Sequence, residues 1–409
     1  MRAVDGWKNF TIEECCDILD SMRIPVNAEE RELRIGNIPY YGANGLQGFI
    51  DSHIFDEPLI LMAEDGGYFD EFATRPIAYR IYGKSWVNNH AHVLRAKKGF
   101  CQDAIFYALE HKDIQPFIVG GTRAKLNQGE LRAITIVLPE ATQEQTKIAT
   151  ILSTLDRAIE QTEEIIAKQQ RIKAGLMQDL LTKGIDEHGV IRSEATHQFK
   201  DSPLGRIPVE WEVESLKNMT SKIVDGVHHT PTYVSEGVPF ITITDITAGE
   251  GISFENVRYV SPTDHTFFVK RADPRTGDVL VTKDGTLGVA RIVSADYPEF
   301  SIFVSVAQIR PKDKICTPEL IWSFFESGEF KIQLGALSAG TGLTHIHLEH
   351  FREFRLRLPP YKEQLRIFEI VTDQGSVLRA NIASLNKLRA QKRGLMHDLL
   401  TGTVRVPMP

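Results

Sequence analysis

The chain has 409 residues, 42% hydrophobic and 25% charged, with a formal net charge of −7. That length and apolar content predict a folded protein of two or three domains, with no apolar run long enough to span a membrane. The net negative charge excludes a broadly basic nucleic-acid coat. Cys15, Cys16, Cys101 and Cys316 lack the spacing of a zinc ribbon or a disulfide framework, and "MRAVDGWKNF" has no apolar signal core, so a cytoplasmic protein is expected.

In chain order, a first unit starts near Trp7, with strands predicted over 59–63, 77–82, 91–95 and 134–138 and a short helix over 102–111. "LPEATQEQ" then opens a long proline-free stretch. It sets Ile148, Leu152, Leu155, Ile159, Thr162, Ile166, Gln169, Lys173, Leu176 and Leu180 at alternating steps of four and three, a heptad seam. The polar stretch 183–208 reads as a linker. A second unit begins near Trp211, with strands over 240–246, 278–282, 289–293 and 303–309, and a helix capped by Thr317 with Pro318 at its first position. "LPPYKEQ" opens a second long helix. Its seam is Ile367, Val371, Gln374, Leu378, Asn381, Leu385, Leu388, Lys392, Leu395 and Leu399. The tail "TGTVRVPMP" reads as loose. The resulting division is 1–140, 141–183, 184–208, 209–358, 359–401 and 402–409.

"GLMQDLLTKG" at Gly175–Gly184 is nearly repeated by "GLMHDLLTGT" at Gly394–Thr403, 219 positions later. At that offset 144–182 aligns with 363–401 without a gap, and Glu144, Gln145, Gly175, Leu176, Met177, Asp179 and Leu180 match Glu363, Gln364, Gly394, Leu395, Met396, Asp398 and Leu399. Matched length and phase predict that the two helices pair with each other, with polar Thr162 and Asn381 at equivalent seam positions fixing register. The same offset relates Asp65-Gly66 to Asp284-Gly285 and Gly121-Thr122 to Gly340-Thr341. The unit is therefore an α/β segment followed by a long helix, present twice. The helices kept their sequence, as expected if they dock the same partner twice. The globular parts diverged, as expected if they read different ligands.

Three stretches mimic catalytic motifs. "YGKSW" lacks a phosphate loop's first glycine, since Ala78 stands there. "NIPY" (Asn37–Tyr40) and "LPPY" (Leu358–Tyr361) approach the N-P-P-Y element of adenine methyltransferases. However, Ile38 replaces a proline in the first, Leu358 cannot accept a hydrogen bond in the second, and neither follows a glycine-rich cofactor loop. An intrinsic methyltransferase is the rival to a binding scaffold. In "HIHLEH", His345, His347 and His350 serve as well for hydrogen bonding as for metal, and no metal is assigned.

Two variable units, each closed by "LP…EQ" and a long helix ending in "GLM-x-DLL", resemble the specificity subunits of type I restriction-modification systems. "SPLGRIPVEWEV", "DGVHHTPTY", "GDVLVTKDGTLG" and "GTGLTHIHL" in the second half, and "IPYYGANG", "NNHAHVLR" and "GGTRAKLNQ" in the first, carry the likeness across the chain. The resemblance implies an α+β fold: two target-recognition domains separated by two long helices in an antiparallel coiled coil, with pseudo-two-fold internal repeat. It implies a non-catalytic chain that reads a bipartite site on double-stranded DNA, with no cofactor of its own. Two methyltransferase subunits using S-adenosylmethionine and two restriction subunits using ATP and Mg2+ are the implied partners; a methylation-only complex is the alternative. Glu64 departs from the pattern, standing where the second unit has Lys283.

The residues give matching candidates. Asp284, Gly285 and Thr286, and Gly340 and Thr341, lie in glycine loops whose backbone N–H groups can approach phosphate, although plain turns have the same composition. Lys283, Arg123, Lys125 and Asn127 can contact phosphate or base. Tyr40, Tyr41, Asn44, Asp65, Gly66, His228, His229, Thr344 and His345 complete the candidate set.

Overall fold

The computed structural model describes residues 5–120, 124–337 and 344–407. The chain forms two compact units, 1–166 with 380–409, and 167–379. Each unit thus takes the first half of one long helix and the second half of the other.

The strands of the first unit are β1 (Trp7–Thr11), β2 (Cys16–Ile18), β3 (Ile38–Gly42), β4 (Gly45–Ile50), β5 (Phe55–Asp56), β6 (Leu59–Ala63), β7 (Ala78–Ile81), β8 (Lys84–Val87), β9 (Ala91–Ala96) and β10 (Thr135–Pro139). They form a sheet of order β2-β9-β6-β7, a second of order β4-β3-β8-β5, and the antiparallel pair β1-β10. β6 is apolar at every position because both faces of its sheet are covered. Ile60 and Met62 enter one core with the helix Gln102–Glu110, while Leu59 and Leu61 enter another against Phe55, Ile81 and Val93.

The strands of the second unit are β11 (Phe199–Ser202), β12 (Gly205–Pro208), β13 (Glu212–Ser215), β14 (Thr220–Asp225), β15 (Val238–Ile241), β16 (Arg258–Val260), β17 (Val279–Thr282), β18 (Ala290–Ile292), β19 (Ser301–Ile302), β20 (Val306–Pro311) and β21 (Arg355–Leu358). Their sheets run β14-β20-β17-β18 and β16-β15-β19, with pairs β11-β12 and β13-β21. β17 divides between two cores as β6 does, Val279 and Val281 one way and Leu280 the other. Thr317 caps its helix as expected, its side chain accepting from the Leu320 N–H at 3.3 Å.

Several expectations need correction. The strand expected over 240–246 stops at Ile241, because Thr242 and Asp245 form a reciprocal capping box that starts the helix Ile243–Thr247. The strand expected over 303–309 starts only at Val306, as β20, and runs on to Pro311; Phe303 holds an isolated bridge to Val227. The 183–208 linker is ordered: it holds the bridge Ile185–Ile191, buried Arg192 and the β11-β12 hairpin. Nor is the tail loose over its described residues, 402–407, since Val406 is buried in the first core and Arg405 grips Glu144 with bonds of 2.7 and 2.9 Å.

The long helices span Thr142–Thr182 and Tyr361–Leu400. Their seam residues are buried or half-buried, except exposed Gln374. In the first unit Ile148 and Leu152 share a core with Leu395, Met396 and Leu399; in the second, Leu176, Met177 and Leu180 share one with Ile367 and Val371. Start meets end in both, so the pairing is antiparallel. Asp156–Lys392 at 2.8 Å and Glu163–Arg389 at 2.7 Å run in the same opposed sense. At the polar seam position, the Thr162 hydroxyl donates to the Ala158 carbonyl of its own helix, 2.6 Å away.

Candidate functional site

The two glycine loops follow equivalent strands. In the first unit, β6 leads into Glu64-Asp65-Gly66. The Leu126 N–H donates to the Glu64 carbonyl at 2.8 Å, and Asp65 bridges Lys125. In the second, β17 leads into Lys283-Asp284-Gly285-Thr286; the Ile346 N–H donates to the Lys283 carbonyl at 2.8 Å, and Asp284 bridges His345. Gly66 and Gly285 adopt φ of +64° and +63°, a region other residues enter only with strain. A Cβ at Gly66 would meet nothing within 4 Å, so backbone conformation and not crowding demands glycine there.

Each loop sits on a buried carboxylate that the sequence reading missed. Ile18 pairs with Leu94, which pairs with Ile60; Ile223 pairs with Ile309, which pairs with Val279. By that register Asp20 and Asp225, two residues further on, are equivalent. Asp225 is 2% exposed and lies 3.0 Å from Lys283 Nζ, with Arg271 and His228 as its other partners. Burial pushes the Asp225 carboxyl up, but hydrogen bonds from Arg271, Lys283 and His228 outweigh burial and hold it below the usual carboxylate range. Asp20 instead meets His92 Nδ1 at 2.6 Å, while Glu64 takes Arg23 at 2.7 Å and Lys125 at 3.1 Å. Glu64 is likewise pushed up by burial and brought below its ordinary range by Arg23 and Lys125. Asp20, Glu64 and His92 lie close enough to share a cation, but Arg23 and Lys125 already supply positive charge there.

The structure gathers Asn44, Asp65, Gly66 and Lys125 in one unit, where Asn44 Nδ2 donates to the Gly66 carbonyl at 2.9 Å. It gathers Asp284, Gly285, Thr286, Thr344 and His345 in the other; Gly285, Thr286 and Thr344 are exposed, as are Asn44, Gly66, Asn127, His228 and His229. His345 contacts Asp284, and its ring stacks edge-on against His347 at 4.6 Å. Tyr41 is half-buried. Two candidates are misplaced as direct contacts. Tyr40 is 1% exposed and donates its hydroxyl to the Val26 carbonyl at 3.1 Å. Lys283 is 3% exposed and spent on Asp225. Arg123, Gly340 and Thr341 lie outside the described residues.

The matched helix starts are also corrected, because they face inward. Gln145 accepts from the Cys101 N–H at 2.8 Å and donates to the Pro139 carbonyl at 2.7 Å; Gln364 accepts from the Thr317 N–H at 2.9 Å and donates to the Pro359 carbonyl at 2.8 Å. "LP…EQ" is therefore an intrachain clamp, tying a proline carbonyl to the start of a short helix. Glu144 binds Arg405, and Glu363 binds Arg192 and the Trp211 indole N–H at 3.1 Å. Each arginine follows the end of the opposite helix. Leu180 and Leu399 are core residues, while Leu176, Met177, Asp179, Leu395, Met396 and Asp398 are half-buried; Gly175 and Gly394 are exposed, as are Gln178 and His397 between the matched residues.

Two topologically matched units on a shared helix pair agree with what the family model for the type I restriction modification DNA specificity domain matches, residues 4–169 and 208–388. The chain belongs to that family. A putative type I restriction enzyme specificity subunit of Haemophilus influenzae is 27% identical over 367 residues, covering 89% of this chain and 86% of the relative. The type I restriction enzyme MjaVIII specificity subunit of Methanocaldococcus jannaschii is 24% identical, covering 99% and 95%. A crystal structure of a type I restriction-modification S subunit from M. genitalium superposes with a TM-score of 0.62 at 15% identity, over 100% of this chain and 99% of that one. The chain is thus a specificity subunit of a type I restriction system, with the S-subunit fold; no helix among its described residues is long and apolar enough to cross a membrane.

Proposed function

We propose that this specificity subunit reads a bipartite site on double-stranded DNA, one half with each unit, and directs adenine-N6 methylation and restriction by partner subunits. The observation carrying this reading is that both units keep one strand order, β2-β9-β6-β7 and β14-β20-β17-β18, while the loops on it differ in length and charge. A common scaffold with divergent loops is what two different half-sites require. The loops at Gly66 and Gly285 present backbone N–H groups to phosphate, with Asn44, Asn127, Thr286 and His345 beside them. Paired methyltransferase subunits, two per complex, would bring S-adenosylmethionine; two restriction subunits would bring ATP and Mg2+.

The helices act as a spacer. At 41 residues, the first is about 60 Å long, on the order of 18 base pairs. The decisive experiment is genome-wide mapping of N6-methyladenine in cells holding the methyltransferase partner, with and without this chain. The expected result is a two-part motif of fixed spacing that appears only with the chain. Methylation independent of the chain, or at an undivided motif, would overturn the reading.

A further inference from the structure

We infer that the second unit carries an aromatic wedge for DNA, Phe267, beside a phosphate-binding cation, and that nothing takes its place between β4 and β6 of the first unit. This rests on the DNA-reading role proposed above and adds residues and a mode of contact to it.

Phe267 is the penultimate residue of the helix Pro262–Phe268 and is 62% exposed, although its neighbour Phe268 is 5% exposed in the core beneath β15. An apolar side chain exposed singly is ordinary by itself; what sets Phe267 apart is the basic and histidine side chains beside it. The helix is well fixed: Ser261 caps it, its side chain accepting from the Asp264 N–H at 3.0 Å, and the Ala272 N–H closes its end onto the Phe268 carbonyl at 3.2 Å. Lys270 Nζ lies 5.7 Å from the Phe267 ring centre, and His229 packs edge-on against Phe268 at 5.7 Å. Arg271 Nη2 lies 2.8 Å from His228 Nε2. One ridge therefore joins Phe267, Lys270 and Arg271 to the two candidate histidines.

Arg271 is paired with Asp225, which leaves Lys270 as the cation beside the ring, with Asp264 one turn earlier on the same helix. A lysine beside an exposed phenylalanine fits a duplex whose phosphate meets the cation while the ring enters between base pairs. Between β4 and β6 the first unit has only residues 51–58, whereas the ridge occupies part of 261–278 between β16 and β17. The wedge should therefore act on one half-site alone.

The test uses the full chain in complex with its methyltransferase partner, on the duplex defined by methylation mapping, with 2-aminopurine placed stepwise through each half-site. Wild type should brighten at one step of the second unit's half-site. Phe267→Ala should lose that signal and bind tenfold or more weakly, Phe267→Trp should keep both, and Lys270→Ala should lower the slope of log affinity against log salt by about one. Phe267 is exposed, so these variants should fold, and gel filtration should show the complex intact. If Phe267→Ala binds within twofold of wild type with the same fluorescence, the wedge is refuted while DNA reading stands. If it blocks assembly, the ridge is a protein interface and the inference fails. Absence of any bipartite motif with the wild-type chain would remove the underlying reading, and the wedge with it.

Discussion

The two units solve one problem with opposite charges. Under the glycine loop of the second unit lies a buried ammonium, Lys283, neutralised by Asp225; under that of the first lies a carboxylate, Glu64, neutralised by Arg23 and Lys125. The backbone is the same in both: equal strand order, equal left-handed glycine, equal bridge to the following segment. What the loop needs is a satisfied polar support, and the sign of the charge is free to change provided its partner changes too. The second difference is length. β3 and β4 are joined by a tight turn, whereas β15 and β16 are separated by residues 242–257. Divergence has collected on the second sheet, and the first has kept its frame.

The largest expected effect tests whether the units read separately. Replacing residues 209–358 by the equivalent segment of a relative should change one half of the methylated motif completely and leave the other untouched; a map altered in both halves would show coupled reading. Next come the clamps. Glu363→Ala strands Arg192, whose side chain is 8% exposed, so denaturant unfolding should show a loss of about 3–5 kcal/mol. Glu144→Ala frees an arginine that is 46% exposed and able to return to water, so the loss should be about 1–2 kcal/mol. Equal losses would contradict the asymmetry.

The supporting carboxylates should divide the same way. Asp225→Ala leaves an ammonium buried and should cost about 3 kcal/mol, whereas Asp20→Ala leaves His92, which has a neutral form, and should cost about 1–2 kcal/mol. The pH dependence follows from their lowered pKa values. A carboxylate whose folded pKa lies below its unfolded value of about 3.9 contributes stability in full well above that pH, and the contribution is lost as pH falls through the folded value. Stability should therefore decline below about pH 4, and Asp225→Asn should flatten that acid limb in urea titrations. The smallest effects belong to Gly66→Ala and Gly285→Ala, about 1–2 kcal/mol each from the left-handed backbone. The two losses should match, because both sites share the same φ and open surroundings.

Much of this was legible in the sequence. The heptad steps placed the seam, because helix phase is a local property, and Gly66 and Gly285 announced a turn because only glycine enters that conformation cheaply. Lys283 and Tyr40 misled for a shared reason: a lysine or tyrosine near a glycine loop looks the same in sequence whether it faces solvent or a buried partner. Phe267 gave no signal, since "TFF" does not say which ring turns outward.

By itself, the sequence determined that one unit is written twice, that each copy ends in a long helix, and that the helices pair. Identity at a single offset and heptad phase survive without knowledge of any contact. Only the tertiary structure decided what the repeated residues face. Glu144 and Glu363 meet Arg405 and Arg192 from beyond the end of the opposite helix. Asp20 and Asp225 are 205 positions apart, against 219 for the strands they support, because insertions and deletions in the loops shift the count while hydrogen-bond register holds the strands in place. Pairing across a sheet and burial of charge depend on contacts far apart along the chain, and no local pattern of residues encodes them.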